Sequence, residues 1–241
     1  MPEIFSGKVI ELLICANGIS MQYQKRGGRS ITALQPLHLE LESGKVAVIF
    51  GRSGSGKTTL LSILAGLLHP SEGSVRFGTH DLYAMPDKER SAFRSRNIGY
   101  IPQGQSGLAV LRVRENILLP ASLAGIPDVA ERAGALLEQT GMTALQEAFP
   151  HELSGGEMRR MAIARALICK PAAVFADEPT NDLDETNAQQ ILSMLQSAAR
   201  EGAAVTIVTH EPFAAAYADV IYRIDNGTII KEGCASSVQI I

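Results

Sequence analysis

Val46-Ala47-Val48-Ile49-Phe50-Gly51-Arg52-Ser53-Gly54-Ser55-Gly56-Lys57-Thr58 decides the fold. Its first five residues are an unbroken apolar run with Ser43-Gly44 before it and glycine after it. A short run bounded by turn residues describes a strand buried on both faces, as in a parallel sheet. The next eight residues match G-x-x-x-x-G-K-[ST] at every fixed position. Gly51, Gly54 and Gly56 let the backbone turn tightly, so that the N–H groups of Gly51, Arg52, Ser53, Gly54, Ser55, Gly56, Lys57, Thr58 and Thr59 can wrap phosphate oxygens. A helix opening at this point adds its positive end. Lys57 brings a charge to the β- and γ-phosphates, and the Thr58 hydroxyl can ligate Mg²⁺.

Outward from this stretch, strands and helices alternate. Leu37-His38-Leu39-Glu40-Leu41 has the strict period of a half-buried strand, and Val9 to Tyr23 reads as another, with the polar segment from Gln24 to Ser30 as the turn between them. A helix is expected from Gly56 to Leu68, with Leu60, Leu61, Ile63, Leu64, Leu67 and Leu68 inward and His69-Pro70 as its stop. Ala173-Val174-Phe175-Ala176 and Ala204-Val205-Thr206-Ile207-Val208-Thr209 are further buried strands. Asp225-Asn226-Gly227 is a hairpin turn. The Ala/Leu-rich stretch from Glu115 to Gly141 reads as a helical insertion broken at Pro120 and Pro127. This alternation argues for an α/β parallel sheet.

Two further places carry chemistry. Asp177-Glu178 closes the apolar run 173–176, and the carboxyl end of a parallel strand faces the crevice where such sheets bind ligands. Asp177 can hold Mg²⁺ and Glu178 can polarise water. Upstream, Leu153-Ser154-Gly155-Gly156-Glu157 opens a helix, with Ser154 as its cap and a second anion-binding end.

Composition narrows the function class. The 241 residues are 46% hydrophobic and 20% charged, which suits a globular chain able to bury a large core. A net charge of −3 with no basic stripe argues against nucleic acid as a partner. Cys15, Cys169 and Cys234 are odd in number and far apart, so neither a disulfide framework nor a zinc spacing is available, and reduced thiols in the cytoplasm are expected. No run approaches the length of a membrane span, and the first residues lack a signal-peptide pattern.

In the order phosphate loop, Leu153-Ser154-Gly155-Gly156-Glu157, Asp177-Glu178, the sequence resembles the ATP-binding-cassette ATPases. The pentapeptide resembles that family's signature, LSGGQ or LSGGE. The resemblance implies an ABC ATPase fold in a single domain over 1–241. Its parts are a RecA-like phosphate-loop core, an antiparallel β subdomain, and a helical subdomain inserted at about 104–168. Gln103, after Tyr100-Ile101-Pro102, resembles the Q-loop glutamine, which reaches Mg²⁺ or the water. His210 resembles the H-loop histidine at the γ-phosphate, Tyr23 the A-loop aromatic on adenine, and residues 181–184 the D-loop.

The resemblance further implies ATP with Mg²⁺ at Thr58, Gln103 and Asp177. It makes Glu178 the hydrolytic base, with Lys57, Gln103 and His210 beside it. Ser154, Gly155, Gly156 and Glu157 would act on the nucleotide of a second copy paired head to tail. A permease docked near the Q-loop would hold the chain at the inner face of the membrane, with Arg112-Val113-Arg114-Glu115 a candidate contact. The motifs look most like the lipoprotein-release and macrolide-export branch. A mechanical regulator of the cell-division type remains the alternative. Two residues depart from the family pattern: Met158 after the signature, where glutamine is frequent, and Asp182 in the D-loop. Lys88, Arg90, Arg94 and Arg96 read as a solvated helix face.

Overall fold

The fold described is that of a computed structural model over residues 14–24, 30–104, 106–181 and 183–234. In chain order the elements are β1 (Ile14–Gln24), β2 (Ser30–Leu41), β3 (Val46–Phe50), α1 (Lys57–Leu64), β4 (Glu72–Phe77), β5 (His80–Asp81), α2 (Asp87–Asn97) and β6 (Ile98–Ile101). There follow α3 (Val113–Ala124), α4 (Ala130–Gln139), α5 (Gly155–Leu167), β7 (Ala173–Asp177), α6 (Glu185–Arg200), β8 (Ala204–Thr209), β9 (Val220–Asp225) and β10 (Thr228–Cys234). Asp182, residues 9–13 of the first expected strand and residues 25–29 of the expected turn lie outside the described residues. On either side of that turn, Tyr23 pairs with Ile31.

The apolar runs form the centre of a six-stranded sheet of order β10-β9-β3-β8-β7-β6, parallel except for the β9–β10 hairpin. Their side chains alternate between two cores. Val48, Val174, Val205 and Ile207 face a cluster with α3, α5 and α6. Ala47, Ile49, Phe175 and Val208 face a cluster with α1 and the antiparallel sheet β2-β1-β4-β5. With both faces covered, the strands have no polar side, which is why the sequence shows runs rather than alternation.

Three expectations change. Helix α1 stops at Leu64, short of Leu68, because Gly66 turns into the left-handed region (φ 68°) and ends the helix there. Leu67 consequently points outward and is 55% exposed. Helix α3 runs through Pro120 unbroken. A proline inside a helix costs about 3 kcal/mol, which packing of the buried Val113, Ile117 and Ala121 in the core shared with α5 offsets. The α2 arginines are not all solvated: Arg94 donates to the Gly66 carbonyl at 2.9 Å, and Arg96 reaches the Ala124 carbonyl at 3.3 Å.

The β9–β10 turn supports the phosphate loop. Asn226 and Gly227 both take positive φ (46° and 76°), as a two-residue hairpin needs. The Gly227 N–H donates to the Ser55 carbonyl at 3.0 Å, and its own carbonyl accepts from the Gln35 N–H at 2.9 Å.

Candidate functional site

Parallel register brings the strand ends level. Phe50 of β3 pairs with Thr209 of β8, Val208 with Asp177 of β7, and Ala176 with Ile101 of β6. The residues that follow, Gly51, His210, Glu178 and Gln103, therefore stand near one another along the carboxyl edge of the sheet. His210, Glu178 and Gln103 border a cleft of about 510 Å³ whose lining includes Arg52, Lys57, Thr58, Thr59 and Asp177.

The phosphate loop needs its glycines for space as well as turning. A Cβ on Gly56, at φ 106°, would lie 2.5 Å from the Ala33 carbonyl oxygen, and one on Gly51 2.6 Å from that of Ile224. Lys57 opens α1 and folds back over the loop. Its Nζ donates to the carbonyls of Gly51 (2.7 Å) and Arg52 (3.1 Å).

Glu178 sits at φ 45°, an unusual conformation for a non-glycine residue and a form of strain often found at functional sites. Its N–H donates to the Val208 carbonyl at 2.9 Å, which anchors it to the sheet edge. Carboxylate Oε1 lies 3.3 Å from Lys57 Nζ. Oε2 accepts from the His210 N–H at 3.3 Å and lies 3.0 Å from His210 Nδ1.

Asp177 is 1% exposed, and neither of its oxygens has a hydrogen-bond partner of ordinary geometry. Burial raises its pKa above the usual aspartate value, although the Thr58 hydroxyl beside it pulls the other way. An unsatisfied buried carboxylate next to a hydroxyl suits a hard divalent cation. Mg²⁺ uses one or two protein oxygens and takes the rest from phosphates and water. Gln103 is exposed on the rim of the same cleft.

Tyr23, 41% exposed, places its hydroxyl 3.5 Å from Thr59 Oγ1, beside the cleft. Ser154, Gly155, Gly156 and Glu157 are not among the residues that border it. They open α5 as a capping box: Glu157 Oε2 accepts from the Ser154 N–H (2.8 Å) and hydroxyl (2.7 Å). Nothing lies within 4 Å of a Cβ built on Gly155, whereas one on Gly156 would lie 3.4 Å from the Asn187 side chain, so the start is open on the Gly155 side. Met158 is 6% exposed and belongs to the core under the helices, which explains an apolar residue there.

Sequence reasoning missed two buried polar residues. The Thr180 hydroxyl donates to the Glu211 carboxylate, tying the segment after Glu178 to the segment after His210. Arg159 donates to the carbonyls of Pro102 and Gly104. Neither has a local signal, because both partners come from distant elements.

Fold and site together define a nucleotide-hydrolysing phosphate-loop protein with a sheet-edge cleft. The family profile described as ABC transporter matches residues 34–181, and the chain belongs to that family as an ATP-binding cassette that hydrolyses ATP. It is 39% identical over 225 residues to the lipoprotein-releasing system ATP-binding protein LolD of Chromohalobacter salexigens, covering 92% of this chain and 94% of that one. It is also 39% identical to the macrolide export ATP-binding/permease protein MacB of Syntrophobacter fumaroxidans, over 87% of this chain but 30% of that longer protein. Among solved structures, the cassette MJ0796, a dimer in a post-hydrolysis state bound to ADP and Pi, superposes with a TM-score of 0.86. That match has 30% identity and covers 91% of this chain and 98% of the other.

Proposed function

We propose that two copies of this chain pair head to tail around two ATP molecules and drive a separate membrane permease that exports or extracts its substrate. One observation carries the reading. Lys57, Gln103, Asp177, Glu178 and His210 share one cleft, while the capped helix start at Ser154–Glu157 lies outside it, with Ser154 and Gly155 exposed. A second copy would bring that start, with its N–H groups and positive dipole end, over the γ-phosphate.

In this arrangement Tyr23 stacks on adenine, and the loop from Gly51 to Thr59 with Lys57 grips the phosphates. Thr58, Asp177 and Gln103 would hold Mg²⁺, which would supply positive charge against the phosphates. Glu178 orients the attacking water and accepts its proton, and His210 contacts the γ-phosphate. Lys57 and the partner's helix start offset the charge that develops as the phosphoryl group leaves.

The permease reading is supported by the names of the relatives, which speak of lipoprotein release and macrolide export. It is also supported by exposed apolar side chains near the Q-loop and on α3: Leu108 (46%), Val110 (83%) and Leu123 (76%). No helix among the described residues is long and apolar enough to cross a membrane. Attachment to the cytoplasmic face through a partner is therefore part of the proposal.

Lys57→Ala tests the core of it. ATP affinity, measured by fluorescence titration, should fall at least about a hundredfold, the scale of losing a desolvated charge-assisted contact. Unchanged affinity would remove the phosphate loop from the mechanism.

A further inference from the structure

Helix α5 carries two adjacent arginines that point to different places. Arg160 donates to Asn187 Oδ1 on α6 at 2.6 Å. Arg159, 8% exposed, sends one guanidinium nitrogen to the Pro102 carbonyl (3.0 Å) and the Gly104 carbonyl (3.3 Å). Those carbonyls flank Gln103, whose own side chain stands at the cleft. Two turns further along the helix, Arg165 bonds the Ser106 carbonyl and hydroxyl. The segment after β6 is thus held to α5 at two levels, and Ser154 caps the same helix.

Burying a guanidinium is costly unless its donors are used. One terminal guanidinium nitrogen meets part of that cost by donating to both carbonyls from the end of a side chain longer than that of lysine.

We propose that Arg159 is a positioning residue for hydrolysis, locking the backbone on both sides of Gln103 to the helix that Ser154 caps. This rests on the role proposed above for Gln103.

The test measures kcat and KM for ATP, with thermal stability, on the full chain. The variants are Arg159→Lys, Arg159→Gln, Gln103→Ala and the double variant Gln103→Ala with Arg159→Lys. Arg159→Lys keeps the charge but ends in a shorter side chain whose nitrogen cannot take the same place between the two carbonyls, so kcat should fall about tenfold with KM nearly unchanged, the scale of a small misplacement of a catalytic group. In the double variant the Arg159 change should cause little further loss beyond that of Gln103→Ala, because both act through one group. Multiplicative losses, wild-type kcat in both Arg159 variants, or a kcat loss that only tracks the folded fraction would each overturn the inference while leaving Gln103's role standing. Wild-type kcat in Gln103→Ala would instead remove that role and the inference with it.

Discussion

Lys57 Nζ lies 3.3 Å from Glu178 Oε1, and each side chain is only 7% exposed. The cation that would bind the β- and γ-phosphates and the carboxylate that would activate water are thus in contact within one cleft. Incoming phosphates compete with Glu178 for the same ammonium. Two loop carbonyls also hold Lys57, so it stays oriented when the carboxylate withdraws.

Glu178→Gln should therefore do more than stop turnover. With the competing charge gone, ATP affinity should rise severalfold, up to about tenfold, which corresponds to about 1.4 kcal/mol. The nucleotide-free protein should lose about 1–3 kcal/mol of stability, since Lys57 then lacks its charged partner. Phosphate release should drop to background, and size-exclusion chromatography with ATP and Mg²⁺ should show a long-lived dimer. Turnover at the wild-type rate would assign the base elsewhere, with His210, 3.0 Å from the carboxylate, the next candidate.

Asp177→Asn should stabilise the nucleotide-free protein. Burial raises the pKa of Asp177 in the fold above its unfolded value. Its contribution to stability is then fully present below the unfolded pKa and is lost as pH rises through the folded one. Replacing the carboxyl by an amide should therefore raise the Tm of the free protein above the acid range. The gain should vanish in acid, where wild-type Asp177 is protonated. The same variant should lose the extra stabilisation that Mg²⁺ adds to ATP, read by thermal shift with ATP alone and with ATP plus Mg²⁺. A fall in Tm at neutral pH without ligand would show that Asp177 is held by contacts rather than left for a cation.

What the sequence disclosed follows from how local each signal is. The strands β3 and β7 are apolar runs, β8 is one but for Thr206 and Thr209, and each leads to a residue with distinctive chemistry. The buried strands and the placing of Gly51, Glu178 and His210 at their ends were therefore readable, whereas the strand order that sets them side by side depends on contacts between distant segments. Pro120 and Leu67 misled because local propensity was read where packing decides: α3 keeps its helix through a proline by virtue of its buried face, and Gly66 turns Leu67 outward. Arg159 gave no signal at all, since its acceptors lie 57 and 55 residues earlier in the chain. Its neighbour Arg160 looks the same in sequence and goes to a different helix. The placement of Ser154 on a capped helix was legible, because a capping box spans only four residues.

Ser154→Ala separates the two tasks of that cap. In the free chain the hydroxyl and N–H of Ser154 both bond the Glu157 carboxylate, and in that order they hold its pKa below the usual glutamate range. A depressed folded pKa contributes stability that is present above the unfolded value and lost as pH falls through the folded one. Removing the hydroxyl should therefore cost about 1 kcal/mol at neutral pH, the usual value of an N-cap. The gap between variant and wild type should narrow in acid as Glu157 protonates, which thermal unfolding across the carboxylate range would read. ATP binding by a single chain should stay as it is, because the Lys57 cleft does not include Ser154. The ATP-induced dimer of the Glu178→Gln background should weaken, because the helix start brought by the second copy has lost a donor to the γ-phosphate. A stability loss that is the same at every pH would detach Glu157 from the cap. A double variant that dimerises as well as Glu178→Gln alone would show that the sandwich does not use the Ser154 hydroxyl.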